Sequence, residues 1–306
     1  MRRVLSYLLL LIFLAGCTLG RTPAERVQLN ALEPLPPSQA VEADDQGKLR
    51  MAVASMIAPE KAVGVYMELA RYLEVELGRP VELVQRRTYA ETYDLLRSGT
   101  VDFAAVCTNV YVMGSKEFGL ELLASPEVDG QATYRALIIA KSQSGIETFD
   151  DLRGKRFAFT DPLSTSGRIY PVSLLRERAT TPEAYFSSSV FTYSHDNSIL
   201  AVVDGVVDGA AVDSLVYDQW AASHPNQAGQ LTVLQESTEF GSPPFVVAPH
   251  VADELHSRLQ GALLNLDQRP EGLEILEGLG ADRLVALPDS AYDAVRALAE
   301  EVGEAP

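Results

Sequence analysis

Cysteine is scarce in this chain, with Cys17 and Cys107 the only two among 306 residues. No multi-disulfide framework can hold the fold together, so a hydrophobic core must, and 47% hydrophobic residues are enough to build one. Basic residues are also short, with 25 Lys and Arg against 42 Asp and Glu, a net charge of −17. That deficit argues against nucleic acid and anionic lipid surfaces as partners and against long-range steering of an anion. An anionic ligand would have to be held by a local cluster of donors. The apolar run from Leu5 to Leu14 is too short for a permanent membrane span. No G-x-S-x-G nucleophile elbow occurs, and one thiolate is a poor zinc site, so neither a metal nor a cofactor is expected.

What the N-terminus does have is ordered. Arg2 and Arg3 precede the apolar run, which ends in Leu14-Ala15-Gly16-Cys17. This arrangement resembles the lipobox of bacterial lipoproteins. The resemblance implies a signal peptide over residues 1–16, lipidation of Cys17, and an exported protein anchored to the cell envelope by its acyl chains alone. Residues 17–47 contain Pro23, Pro34, Pro36, Pro37 and an acidic Glu42-Ala43-Asp44-Asp45, and read as a flexible tether. With Cys17 lipidated, Cys107 is left without a disulfide partner.

From Lys48 onward, short apolar strands (Leu49 to Ser55, Pro80 to Gln85, Val101 to Cys107) alternate with helical stretches (Lys61 to Leu77, Tyr89 to Arg97). The alternation predicts an α/β fold of βαβ units. An internal repeat is visible at a spacing of 106. Gly99-Thr100-Val101-Asp102-Phe103-Ala104-Ala105-Val106 matches Gly205-Val206-Val207-Asp208-Gly209-Ala210-Ala211-Val212, Arg50 to Ala54 matches Arg156 to Thr160, and Tyr89 falls opposite His195. Three matches at one spacing predict two lobes on one plan. Ligands bind beyond the carboxyl ends of parallel strands, so two facing lobes would line one cleft. Cys107 and Asp213, each just after a repeated strand, are cleft candidates, with Tyr111 one helical turn beyond Cys107.

The segment Asp161-Pro162-Leu163-Ser164-Thr165-Ser166-Gly167 follows the strand Arg156 to Phe159 and opens a helix. Helix N-termini present unpaired N–H groups and a positive dipole end, and the three hydroxyls add donors. Ordinary N-capping needs only one such residue. His195, in Tyr193-Ser194-His195-Asp196, could donate to an anion as a neutral or protonated ring. Cys107 reads either as a small buried packing residue or as a thiol facing a soft ligand.

Residues 48 to 290 resemble the phosphate/phosphite/phosphonate-binding (PhnD-like) family of periplasmic solute-binding proteins. The resemblance rests on Gly99 to Asp102, Asp151-Leu152-Arg153-Gly154-Lys155, Pro162 to Gly167, Ser194-His195-Asp196 and Val207 to Ala210. It implies a two-lobed α/β fold in which each lobe is a mixed, mostly parallel sheet flanked by helices, with the ligand cleft between lobes. Residues 48–135 with 237–306 would form the first lobe and 136–236 the second, joined by crossings near Tyr134 to Leu137 and Gln235 to Ser242. It further implies that Ser164, Thr165 and Ser166 hold a small oxyanion, that His195 contacts it, and that Tyr89 and Tyr111 come from the opposite lobe. The implied function is the solute-binding component of an ABC-type uptake system, without catalysis, its partner an ABC permease. The alternatives are a ligand sensor for a kinase, binding arsenite through Cys107, and a serine hydrolase built from Ser164 or Ser166, His195 and Asp213. One departure stands out: the family's Asp-Pro at the second crossing is absent, and Glu239 is the nearest substitute.

Overall fold

Two sheets organise the molecule, and each is built on the repeat. The computed structural model describes residues 47–303. The expected signal peptide, the lipidation site Cys17 and nearly all of the tether lie outside the described residues.

The first sheet begins with β1 (Leu49–Val53), β2 (Val81–Gln85), β3 (Phe103–Ala105) and β4 (Glu121–Glu127). The short β5 (Thr133–Tyr134) leads to the second sheet, made of β6 (Ala136–Lys141), β7 (Arg156–Phe159), β8 (Ser188–Phe191), β9 (Gly209–Asp213) and β10 (Leu231–Glu236). The chain returns through β11 (Phe240–Gly241) to β12 (Phe245–Val247) and β13 (Arg283–Val285) of the first sheet. The orders are β13-β4-β12-β3-β1-β2 and β10-β6-β9-β7-β8. In the first sheet β12 and β13 run against the other four strands, and in the second only β6 does. The two crossings, β5 and β11, pair antiparallel with Phe240 opposite Tyr134, which gives the chain a double hinge between the sheets.

The sequence repeat is a structural repeat down to single hydrogen bonds. The Asp102 carboxylate accepts from Arg50 N–H at 2.7 Å, and that of Asp208 accepts from Arg156 N–H at 2.8 Å. Gly99 and Gly205, at φ +68° and +72°, reverse the chain after the preceding helix in each half, a conformation that costs a residue with a Cβ. The strands leading to the cleft are small and apolar (Phe103-Ala104-Ala105, Ala210-Ala211-Val212) and buried on both faces, as parallel strands covered by helices must be.

Helices cover both sheets: α1 (Pro59–Leu77), α2 (Tyr89–Arg97) and α3 (Thr108–Glu117) in the first half, then α4 (Tyr170–Glu177), α5 (Pro182–Tyr185), α6 (His195–Val203), α7 (Ser214–Ser223) and α8 (Pro225–Ala228). The C-terminal part adds α9 (Asp253–Leu264), α10 (Pro270–Leu279) and α11 (Asp293–Glu301). The last helix is not confined to the first lobe. It packs on α3 and also on the segment Thr165–Ile169, and Arg176 Nη1 donates to Glu301 O at 3.0 Å.

Candidate functional site

The start of the hydroxyl-rich segment is shaped by a proline and a glycine. Pro171 has no N–H, so it cannot bond back to Gly167 O within a regular helix. That carbonyl instead accepts from Thr160 N–H at 3.1 Å. Thr165–Ile169 widen into a π-turn before α4 begins, and such turns recur at functional sites. Gly167 permits the fold-back, since a Cβ there would lie 2.4 Å from Thr160 Cβ. Ser164 caps the turn, its Oγ accepting from Gly167 N–H at 3.0 Å, and its own hydroxyl hydrogen remains to be donated. Ser164, Thr165 and Ser166 are all buried, at 1%, 1% and 2% exposure.

The first lobe closes over this turn. Tyr89 N–H donates to Asp161 Oδ2 at 3.1 Å, Ala58 N–H to Asp196 Oδ1 at 2.9 Å, and His195 N–H to Met56 O at 2.9 Å. Thr108 Oγ1 lies 2.7 Å from Thr165 Oγ1 and 2.8 Å from the Tyr134 hydroxyl, so a chain of hydroxyls runs from the hinge strand across the cleft. The Tyr89 ring is fully buried and its hydroxyl has no hydrogen-bond partner in the protein. Burial raises the Tyr89 and Tyr134 phenols well above their ordinary range, so both are fixed as neutral donors.

His195 opens α6 rather than preceding it, capped by Ser194. Its Nδ1 accepts from Asp213 N–H at 3.1 Å, which assigns the ring proton to Nε2, and Thr160 Oγ1 lies 3.1 Å from the same nitrogen. Burial lowers the ring pKa to about 3. The ring is therefore a neutral donor, not a cation. Asp213 is raised to about 7, chiefly by burial, and its Oδ1 caps α7 by accepting from Leu215 and Val216 N–H at 2.8 and 3.3 Å. Asp161, which also follows a strand, is buried and raised in pKa by desolvation. Hydroxyls, a neutral imidazole and two carboxyls are thus all buried in this region. Neutral donors can hold an anion without the Born cost of burying a cation, and a carboxyl can accept from a protonated oxyanion.

Of the residues singled out from the sequence, Tyr89, Cys107, Ser164, Thr165, Ser166, His195 and Asp213 are all buried, and contacts tie Tyr89 to Asp161, Cys107 to Leu163, Thr165 to Thr108 and His195 to Asp213. Tyr111 does not join them through its hydroxyl, which donates to Asp289 Oδ1 at 2.5 Å while its ring meets Tyr292 edge-on at 4.8 Å. Glu239 is no substitute for the missing hinge Asp, because it pairs with Arg135 at 2.8 Å on the surface. Cys107 is sealed, its Sγ 3.5 Å from Leu163 O, and burial drives its pKa far up although it caps α3. An arsenite-sensing thiolate finds no support there. The hydrolase triad fails too, because Asp213 meets His195 through its backbone and spends its carboxylate on α7. Tyr134 was missed, because it lay in a hinge crossing; Asp161, two residues past β7, stood in the segment read from the sequence but was given no role there.

Comparison with known proteins bears on the family and the fold. Residues 51–292 match the family described as ABC transporter, phosphonate, periplasmic substrate-binding protein. The phosphate-import protein PhnD of Mycolicibacterium smegmatis is 31% identical over 206 residues, which are 62% of this chain and 64% of that protein, so the match spans less than two thirds of that relative's length. A binding protein component of an ABC phosphonate transporter from Pseudomonas aeruginosa superposes with a TM-score of 0.78 at 21% identity, over 84% of this chain and 86% of that one. PhnD1 from Prochlorococcus marinus, solved with methylphosphonate, superposes with a TM-score of 0.76 at 17% identity, over 84% and 98%. Those two likenesses establish the shared two-lobed fold, and the match over residues 51–292 carries the assignment: the chain belongs to the family of periplasmic phosphonate-binding proteins of ABC transporters.

Proposed function

We propose that this protein captures a small phosphorus oxyanion (a phosphonate, phosphite or phosphate) between its lobes and delivers it to an ABC permease, with no chemical turnover. The observation that carries the reading is the buried turn Ser164-Thr165-Ser166-Gly167, preceded by Asp161, which accepts from Tyr89 N–H of the other lobe, and the buried Tyr89 hydroxyl that has no partner in the protein. Ser164, Thr165 and Ser166 would donate hydroxyls and N–H groups, His195 its Nε2–H and Tyr89 its phenol. Asp213, and not Glu239, would accept from a protonated ligand oxygen. Cys107 would pack beneath the site without touching the ligand, and Tyr111 would act only through its bond to Asp289. Cys17 would carry the lipid that keeps the protein at the envelope beside its permease.

Calorimetry against phosphate, phosphite and methylphosphonate tests the reading. Binding of at least one, with no phosphate released from phosphate esters, is expected. Absence of binding to all of them removes the oxyanion assignment.

A further inference from the structure

Three buried hydroxyls come into contact from three separate places in the chain. Tyr134 lies in the hinge strand β5, Thr108 opens α3 directly after the first sheet's β3, and Thr165 opens the π-turn after β7 of the second. Thr108 Oγ1 sits between the other two, 2.8 Å from the Tyr134 hydroxyl and 2.7 Å from Thr165 Oγ1. None of the three residues is more than 4% exposed. Thr108 and Thr165 belong to opposite halves, so their bond exists only while the halves are closed on each other.

Each hydroxyl has one proton to donate and lone pairs with which to accept. A phenol is a better donor and a poorer acceptor than an aliphatic hydroxyl, so the favoured order has Tyr134 donating to Thr108 and Thr108 donating to Thr165. Thr165 then keeps its own proton for a group facing the turn. The reverse order would spend that proton on Thr108 and leave only lone pairs, which repel an anion. Hydrogen bonds in series also polarise one another, which strengthens the last donor. The Tyr134 ring is placed without help from its hydroxyl, tilted against Phe240 at 5.6 Å where the two hinge strands pair.

We propose that Tyr134 and Thr108 are positioning residues that act through Thr165: on closure they fix its hydroxyl as a donor to the bound oxyanion, without touching the ligand themselves. The proposal rests on the Ser164–Gly167 turn holding an oxyanion, as proposed above. Its consequence is kinetic. The relay is complete only in the closed form, so its loss speeds release of the ligand and leaves capture unchanged.

The test is a double-mutant cycle on the full-length protein, read by calorimetry and stopped-flow kinetics with whichever of phosphate, phosphite and methylphosphonate binds tightest. Tyr134→Phe keeps the ring and removes the hydroxyl. It should weaken binding about fivefold, within the range of one net hydrogen bond, nearly all of it as faster dissociation. In a Thr165→Val background the same change should have almost no further effect, because the relay then has no donor to orient. Thr108→Val should match Tyr134→Phe, and Thr108→Ser, which keeps the hydroxyl, should restore the affinity. A general loosening of the hinge would instead weaken binding equally with and without the Thr165 hydroxyl. Additive effects in the cycle, a change confined to association, or undiminished affinity in Tyr134→Phe would overturn the proposal while leaving oxyanion binding intact. Failure of all three anions to bind the unmodified protein would overturn the oxyanion reading, and this proposal with it. If a variant of the cycle does not fold, the contrast between Thr108→Val and Thr108→Ser decides alone.

Discussion

The backbone N–H of Asp213 meets Nδ1 of His195 at 3.1 Å, so two buried titratable residues are joined through a bond that neither side-chain charge makes. The ring is held neutral by burial and the carboxyl is held partly protonated by burial, and the two push stability in opposite directions with pH. His195 falls from 6.5 to about 3 on folding, so the unfolded chain binds more protons in that interval and stability drops as pH falls through it. Asp213 rises from 3.8 to about 7, so the folded chain binds more protons there and stability drops as pH rises through it. Where the windows overlap the two slopes cancel. Denaturant titrations of His195→Asn and Asp213→Asn at several pH values should each differ from the unmodified protein by up to about 1.4 kcal/mol per pH unit, with opposite sign. Parallel curves for all three proteins would contradict the assigned burial effects.

Ser164 and Ser166 should separate capping from binding. Ser164 accepts from Gly167 N–H, so Ser164→Ala should cost about 1 kcal/mol of stability as well as affinity. Ser166→Ala should weaken ligand binding by about 1 to 3 kcal/mol while moving the denaturation midpoint little. Replacing both should cost several kcal/mol of affinity, and undiminished binding in the double variant would show that the site lies elsewhere.

Gly167 is required by contact, not by an unusual backbone angle. Gly167→Ala would drive a methyl against Thr160, and with β7 and the π-turn both buried the neighbours have little room to move. A loss of about 1 to 3 kcal/mol of stability and a weakened ligand affinity are expected, read by thermal unfolding and calorimetry. A variant as stable as the original would mean that the turn relaxes freely.

The Cys107 thiol should be silent. Burial raises its pKa and its Sγ faces Leu163 O, so alkylating reagents should label it slowly in the folded protein and fast after denaturation, with or without phosphonate. Cys107→Ala should leave oxyanion affinity nearly unchanged and cost stability modestly. Rapid native labelling that a ligand suppresses would return the thiol to the binding surface.

Much of this protein was legible in one dimension, for identifiable physical reasons. The repeat could be read because each half needs the same parts in the same order: an aspartate accepting from the first strand, a glycine at positive φ, and a small apolar strand with helices on both sides. The run Ser164-Thr165-Ser166-Gly167 was readable because hydroxyls and a glycine at a helix start form one local structure. What tertiary structure alone decided was the use of each polar group once long-range neighbours arrived. Tyr111 turned to Asp289, 178 residues away in sequence, Glu239 turned to Arg135, and Tyr134 came in from the hinge to Thr108. The protonation of His195 and Asp213 belongs with these, because residue type sets the ordinary pKa but only burial between two lobes moves it, and burial is a property of the assembled chain.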